Sequence, residues 1–137
     1  MQTNPQSYKD LNVWQKGIEL AKLIYTLTTR FPAEEKFGLI SQMRRAAVSI
    51  PSNIAEGQAR HTTGEFIQFI SHAEGSVAEL NTQLVLAIEL GFCSNEPAAP
   101  TAELMEHLRR MLNGLRRKLA NSAKSSRHMS PVTRHFP

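Results

Sequence analysis

From Leu11 to Leu119, apolar residues recur three or four positions apart in four stretches. Each stretch is long enough for a helix, and each ends in turn chemistry. Nowhere do apolar and polar residues alternate over a useful strand length. Helices with one apolar side must bury that side against one another. Four of them joined by short connections favour an all-α, antiparallel up-down-up-down four-helix bundle. A chain of 137 residues supports one such domain, because it removes about two-thirds of its unfolded surface from water. The pattern predicts a bundle over residues 1–121 and a basic, mobile tail over residues 122–137.

The first helix is predicted over residues 10–29, capped by the Asp10 carboxylate. It carries two adjoining stripes: Leu11, Trp14, Ile18, Ala21 and Tyr25, then Val13, Gly17, Leu20, Ile24 and Leu27. Both are expected to be buried by neighbours on two sides. Phe31-Pro32 ends the pattern. The second helix starts between Glu34 and Phe37 and runs to about Gln58, with Gly57 as its stop. Leu39, Ile40, Met43, Ala47, Ile50 and Ile54 form its apolar stripe. Pro51 falls inside that stripe, and its missing N–H and bulky ring favour a kink. Ser49, Ser52 and Asn53 are candidates to serve the carbonyl groups that Pro51 frees.

Thr62, with Glu65 three residues on, marks the start of the third helix. Its stripe runs from Phe66 and Phe69 through Ile70, Ala73, Val77, Leu80 and Leu84 to Ile88. Gly91 suits a left-handed cap. The small residues Ala73, Gly75, Ser76 and Ala78 are read as sites of close helix contact. Ser94 to Pro100, with two prolines, is expected to be the longest loop. The fourth helix is predicted over residues 101–121, with Met105, Leu108, Leu112, Leu115 and Leu119 in a heptad seam.

Little in the sequence points to catalysis. It has no Gly-rich phosphate loop, no G-x-S-x-G elbow and no H-E-x-x-H helix. No Arg is followed by a His at the four-to-six-residue gap used by small helical ribonucleases of the HEPN kind. Glu103, Glu106 and His107 have the wrong spacing for a di-iron bundle. The lone cysteine, Cys93, has no neighbour in sequence to activate it and reads as a small apolar residue. The expectation is a protein that is not an enzyme, with no cofactor and no metal. The N-terminal residues lack a basic start before an apolar run, so no signal peptide is expected and the cytoplasm is the predicted compartment. The short run from Leu84 to Cys93 is interrupted by Glu89, and no membrane partner is expected.

The net charge of +4 conceals an uneven distribution. Residues 1–106 carry 8 Lys/Arg against all 12 Asp/Glu, whereas residues 107–137 carry 8 Lys/Arg and no acid. Like charges gathered in one segment suit a polyanionic partner. They also suit a plain solvated helix face. The most unusual stretch runs from Gln42 to Gly57, where Arg44-Arg45 lies beside the apolar stripe. Two readings stand there. Arg44 or Arg45 pairs with Glu74 or Glu79 across helices, or the arginine pair faces phosphates.

At this stretch the chain resembles the four-helix-bundle family of 23S rRNA intervening-sequence proteins. It is also similar to the accessory variability proteins of diversity-generating retroelements. The matching segments are Tyr8–Gln15, Phe31-Pro32 with Glu35, Phe37-Gly38-Leu39, Gln42, Arg44 through Gly57, Glu65-Phe66 and Gly75–Leu80. They span residues 8–92. The resemblance implies a ring of five protomers. For the retroelement relatives it also implies a basic barrel that serves as a platform for RNA or for the reverse transcriptase. It supplies no catalytic residue.

The sequence therefore predicts a non-catalytic homo-oligomer, a homopentamer by resemblance, that binds RNA or DNA through clustered cations. The candidates are Arg44, Arg45, Arg60, Arg109, Arg110, Arg116, Arg117 and Lys118. The alternative is a protein-interaction scaffold, with a protein partner in place of nucleic acid.

Overall fold

A computed structural model of the chain describes residues 7–129. Four helices account for most of them: α1 (Asn12–Thr28), α2 (Leu39–Gln58), α3 (Thr63–Glu89) and α4 (Asn95–Met129). The packed pairs are α1 with α2, α2 with α3, α3 with α4, and α4 with α1. Each helix thus touches its sequence neighbours and the ring closes, as in an up-down-up-down bundle. Among the described residues, α2 and α4 are diagonal and share no packed face.

α1 starts later than the sequence suggests. Asp10 closes a short 3-10 turn, Tyr8–Asp10, and α1 begins after Leu11, which has no capping side chain. Only one of the two predicted stripes is core. Val13, Gly17, Leu20, Ile24 and Leu27 are buried. Leu11, Trp14 and Ala21 are half-buried, while Ile18 and Tyr25 are 36% and 45% exposed. Among the described residues α1 packs on α2 and α4 alone of the long helices, and the stripe of Leu11, Trp14, Ile18, Ala21 and Tyr25 runs along the outer edge of that packing.

The chain turns through a second 3-10 segment, Ala33–Glu35, into α2. Glu35 caps α2, its Oε1 accepting the Leu39 N–H at 3.0 Å. All six predicted stripe residues of α2 are buried. The helix runs through Pro51, which is itself buried against α1. Gly17 makes that approach available, since a Cβ there would stand 3.3 Å from Pro51 Cβ. Side chains brace the backbone on either side of Ala47. Ser49 Oγ donates to the Ala46 carbonyl at 2.7 Å, and Asn53 Nδ2 donates to the Ser49 carbonyl at 2.8 Å. Exposed Ser52 is not in this bracing.

Gly57 is less a stop than a contact. A Cβ there would stand 2.7 Å from Phe69 Cβ and 2.9 Å from Phe66 Cδ1. Gly75, expected at a close helix contact, has open space where a Cβ would go, whereas Ser76 does meet α2 through a 2.6 Å hydrogen bond with Ser49. α3 opens with Thr62 Oγ1 accepting the Glu65 N–H at 3.1 Å. It closes on Gly91 at φ +81°, with Gly91 N–H bonded to the Ile88 carbonyl and Phe92 N–H to the Ala87 carbonyl. That pair of bonds is the Schellman cap that a left-handed glycine permits.

The segment expected to be the longest loop is instead the first turns of α4. Pro97 sits in the first turn, where backbone N–H groups have no helical partner anyway. Pro100 gives up one bond, to the carbonyl of exposed Glu96. Both prolines are exposed and line an open cleft with Leu23, Leu27 and Arg30 at the end of α1. At the other end, α4 continues past Asn121 to Met129, so the helix extends into the segment expected to be a tail. Residues 130–137 of that segment lie outside the described residues. Met105, Leu108 and Leu112 of the heptad seam are buried, and Leu115 and Leu119 are half-buried.

The glycine contacts predict opposite effects of one substitution. Gly57→Ala should destabilise the protein by about 1–3 kcal/mol, as overpacking does. Gly75→Ala should stabilise it by about 0.5–1 kcal/mol, because an exposed helical glycine gains order and loses no space. Urea unfolding of the two variants measures both.

Candidate nucleic-acid interface

The predicted cations fall into separate groups. Arg44 and Arg45 lie on α2, beside α1. Arg60 lies just past the end of α2, with its guanidinium 4.8 Å from the centroid of the Phe69 ring of α3. Arg109, Arg110, Arg116, Arg117 and Lys118 lie on α4, diagonal to α2.

Three of the α4 arginines are held by carboxylates. Glu106 sits between Arg109 and Arg110, at 2.6 Å and 3.2 Å. Arg116 crosses to α3, where its Nε donates to Glu74 Oε1 at 2.6 Å. Asn113 adds a longer bond to the same carboxylate. The cross-helix arginine–carboxylate pair expected of the sequence therefore exists, but Arg116 makes it rather than Arg44 or Arg45. Arg117 and Lys118 are exposed and make no ion pair among the described residues.

Arg44 is anchored by neutral groups instead. Its Nε donates to Thr28 Oγ1 at 2.9 Å, and Nη2 donates to the Tyr25 carbonyl at 3.3 Å. Thr28 is fully buried and donates in turn to the Ile24 carbonyl at 2.7 Å. The guanidinium lies 4.5 Å from the centroid of the Tyr25 ring, close enough for cation–π attraction. No carboxylate balances its charge among the described residues. A half-buried guanidinium in that state is a standing attraction for an anion.

Arg44 forms part of an open groove of about 600 Å³ along α1 and α2. Lys36 and Arg45 are the other cations of its lining, and Tyr25 and Phe37 its aromatic rings. Ile40, Ser41, Val48 and Ser49 complete it, and no acid lines it. Glu35, the nearest acid in sequence, is engaged in capping α2. Lys36, Tyr25 and Phe37 were not picked out by sequence reasoning as site residues. Tyr25 falls on an apolar stripe and reads as core, and Phe37 reads as the start of a helix. The available signal was the pair Lys36-Phe37 placed just before a helix that carries Arg44-Arg45.

The family scan decides the kinship of this chain. The model of the 23S rRNA-intervening sequence protein family matches residues 9–114. The chain belongs to that family. The match includes most of α4, which the residue-level resemblance over 8–92 did not reach. The search of curated proteins found no match.

Other chemistry is thin in this family member. Among the described residues, no three of His, Cys, Asp and Glu come together as a metal group. Cys93 packs against the core, and partial burial pushes its thiol above the ordinary value. At neutral pH it stays protonated, as an unreactive thiol does. No described helix is long and apolar enough to cross a membrane.

Glu106 offers a check on the charge arrangement. The hydrogen bond from Arg109, aided by the charges of Arg109 and Arg110, holds its carboxyl below the usual carboxylate range. Its contribution to stability is therefore present at neutral pH and is lost as pH falls through the lowered value. In Arg109→Ala the Glu106 carboxyl should titrate closer to an ordinary glutamate. NMR titration of the side-chain carboxyl carbon measures this, and an unchanged value would contradict the pairing.

Proposed function

We propose that this protein is a non-catalytic homo-oligomer that binds RNA or other nucleic acid through the basic groove of α1 and α2. The observation that supports it is the groove itself: Lys36, Arg44 and Arg45 beside two aromatic rings, with no acid in the lining. Cations of this kind meet phosphates and position the strand without reading its sequence. Arg60 after α2, and Arg117 and Lys118 on α4, are outside the groove, make no ion pair among the described residues and would add to the same field. Arg109, Arg110 and Arg116 contribute less, because their charge is already met by Glu106 and Glu74.

Two exposed apolar surfaces support self-association. One is Ile18 with half-buried Trp14 and Ala21 on α1, outside the groove; the other is Val85, Leu86 and Leu90 near the end of α3. Two different patches on one chain suit a head-to-tail contact rather than a two-fold dimer, and such contacts form a ring when their rotation closes. The proposed ring has five protomers, the number that the family resemblance implies.

Nucleic-acid binding is tested by fluorescence anisotropy against structured RNA and duplex DNA at several salt concentrations. Binding should weaken steeply with salt as counterions are released. Arg45→Ala should reduce the salt slope by about one phosphate contact, and the Arg109→Ala, Arg110→Ala double variant should reduce it less. No binding at low salt, with a protein partner co-purifying instead, would replace this reading with the scaffold. Self-association is tested separately by sedimentation. Leu86→Glu should shift the protein towards monomer, and an unchanged assembly would remove the α3 patch from the interface.

A further inference from the structure

Phe37 is 89% exposed, well beyond any other large apolar side chain described. It is not on a loose loop. The turn before it is closed by backbone bonds from Glu35 N–H to the Pro32 carbonyl and from Lys36 N–H to the Ala33 carbonyl. Just after it, Gly38 N–H bonds the Glu35 carbonyl, and the Glu35 side chain caps α2 at Leu39. The ring is thus held out by a fixed turn, at the edge of the groove that contains Arg44 and Arg45. The Lys36 ammonium lies over the ring, 5.5 Å from its centroid. A fixed aromatic face flanked by unpaired cations, in a groove without acids, has the form of a stacking platform for an unpaired base.

We propose that the groove takes single-stranded nucleic acid, with one unstacked base seated on the Phe37 ring and the flanking phosphates on Lys36 and Arg45. This rests on the nucleic-acid reading above and narrows it to a substrate class. A duplex offers its phosphates to the same cations but keeps its base faces inside the stack. The deep, narrow major groove of an RNA duplex also shuts side chains out. Phe37 therefore adds affinity only for a strand with unpaired bases. Tyr25 takes no such role: it is 45% exposed and the anchored Arg44 guanidinium lies on its ring, whereas Phe37, 89% exposed, offers a ring face beside Lys36.

The test compares a short oligouridylate with an RNA duplex of the same length, using the full chain and anisotropy. The wild-type protein should favour the single strand. Phe37→Ala should weaken single-strand binding roughly 5- to 150-fold, the range of one base–aromatic stack. It should leave duplex binding and the salt slope unchanged. Phe37→Trp should retain the single-strand preference. Since Phe37 packs into no core, all three proteins should fold alike, which thermal melts check. Equal loss on both substrates, or no loss on either, would overturn the base platform while leaving groove binding intact. A change in sedimentation with unaltered binding would assign Phe37 to a contact between copies instead. No binding of either substrate by the wild type would overturn the groove reading as well.

Discussion

The structure depends on how closely α2 can approach its two neighbours. On one side a buried proline presses on Gly17 of α1; on the other Gly57 lies under Phe66 and Phe69 of α3. The Gly57 contact has no room for a Cβ and the Gly17 contact would be tight with one, and between them they hold α2 close to both neighbours. Arg44 gains its anchor from this placement, because Thr28 and the Tyr25 carbonyl belong to α1 while the guanidinium belongs to α2. The groove is the outer seam of the same packing. Its shape therefore follows from the core rather than from a separate loop.

Charge in the sequence and charge on the surface differ in this protein. The C-terminal residues from 107 on hold half of the Lys/Arg and no acid, yet they do not form a bare cationic surface. Folding brings Glu106 and Glu74 to three of those arginines. The exposed Glu106 pairs add little stability, while the Glu74–Arg116 pair is half-buried. Their consequence is electrostatic, since each meets a positive charge that would otherwise act on a distant anion. Among the described residues Arg44 and Arg45 on α2 have no such partner, so their charge is not met by a carboxylate.

Much of the fold was legible because helical periodicity reports burial directly. The stripes of α2 and α3, the Thr62 cap and the Gly91 cap all follow from local chemistry. Local rules failed where tertiary packing supplied what they lacked. Pro97 and Pro100 read as loop residues, yet both are exposed in the first turns of α4, where a missing N–H costs little, while Ala98 and Thr101 between and beside them are buried. Tyr25 and Ile18 read as core, yet they are 45% and 36% exposed, because the two helices packed on α1 cover only the stripe from Val13 to Leu27. The site was half legible. Arg44 and Arg45 stood out in the sequence, but exposure is a property of the folded surface, so Phe37 could be recognised as part of the groove only once α2 was in place.

The central claim is that this family member holds nucleic acid at the groove of α1 and α2, and ultraviolet crosslinking tests it most directly. The protein would be irradiated with a single-stranded RNA, digested with trypsin and analysed by mass spectrometry. The account predicts crosslinks on the peptide of residues 37–44, which begins at Phe37 and ends at Arg44. Crosslinks confined to α4, with none on that peptide, would contradict it.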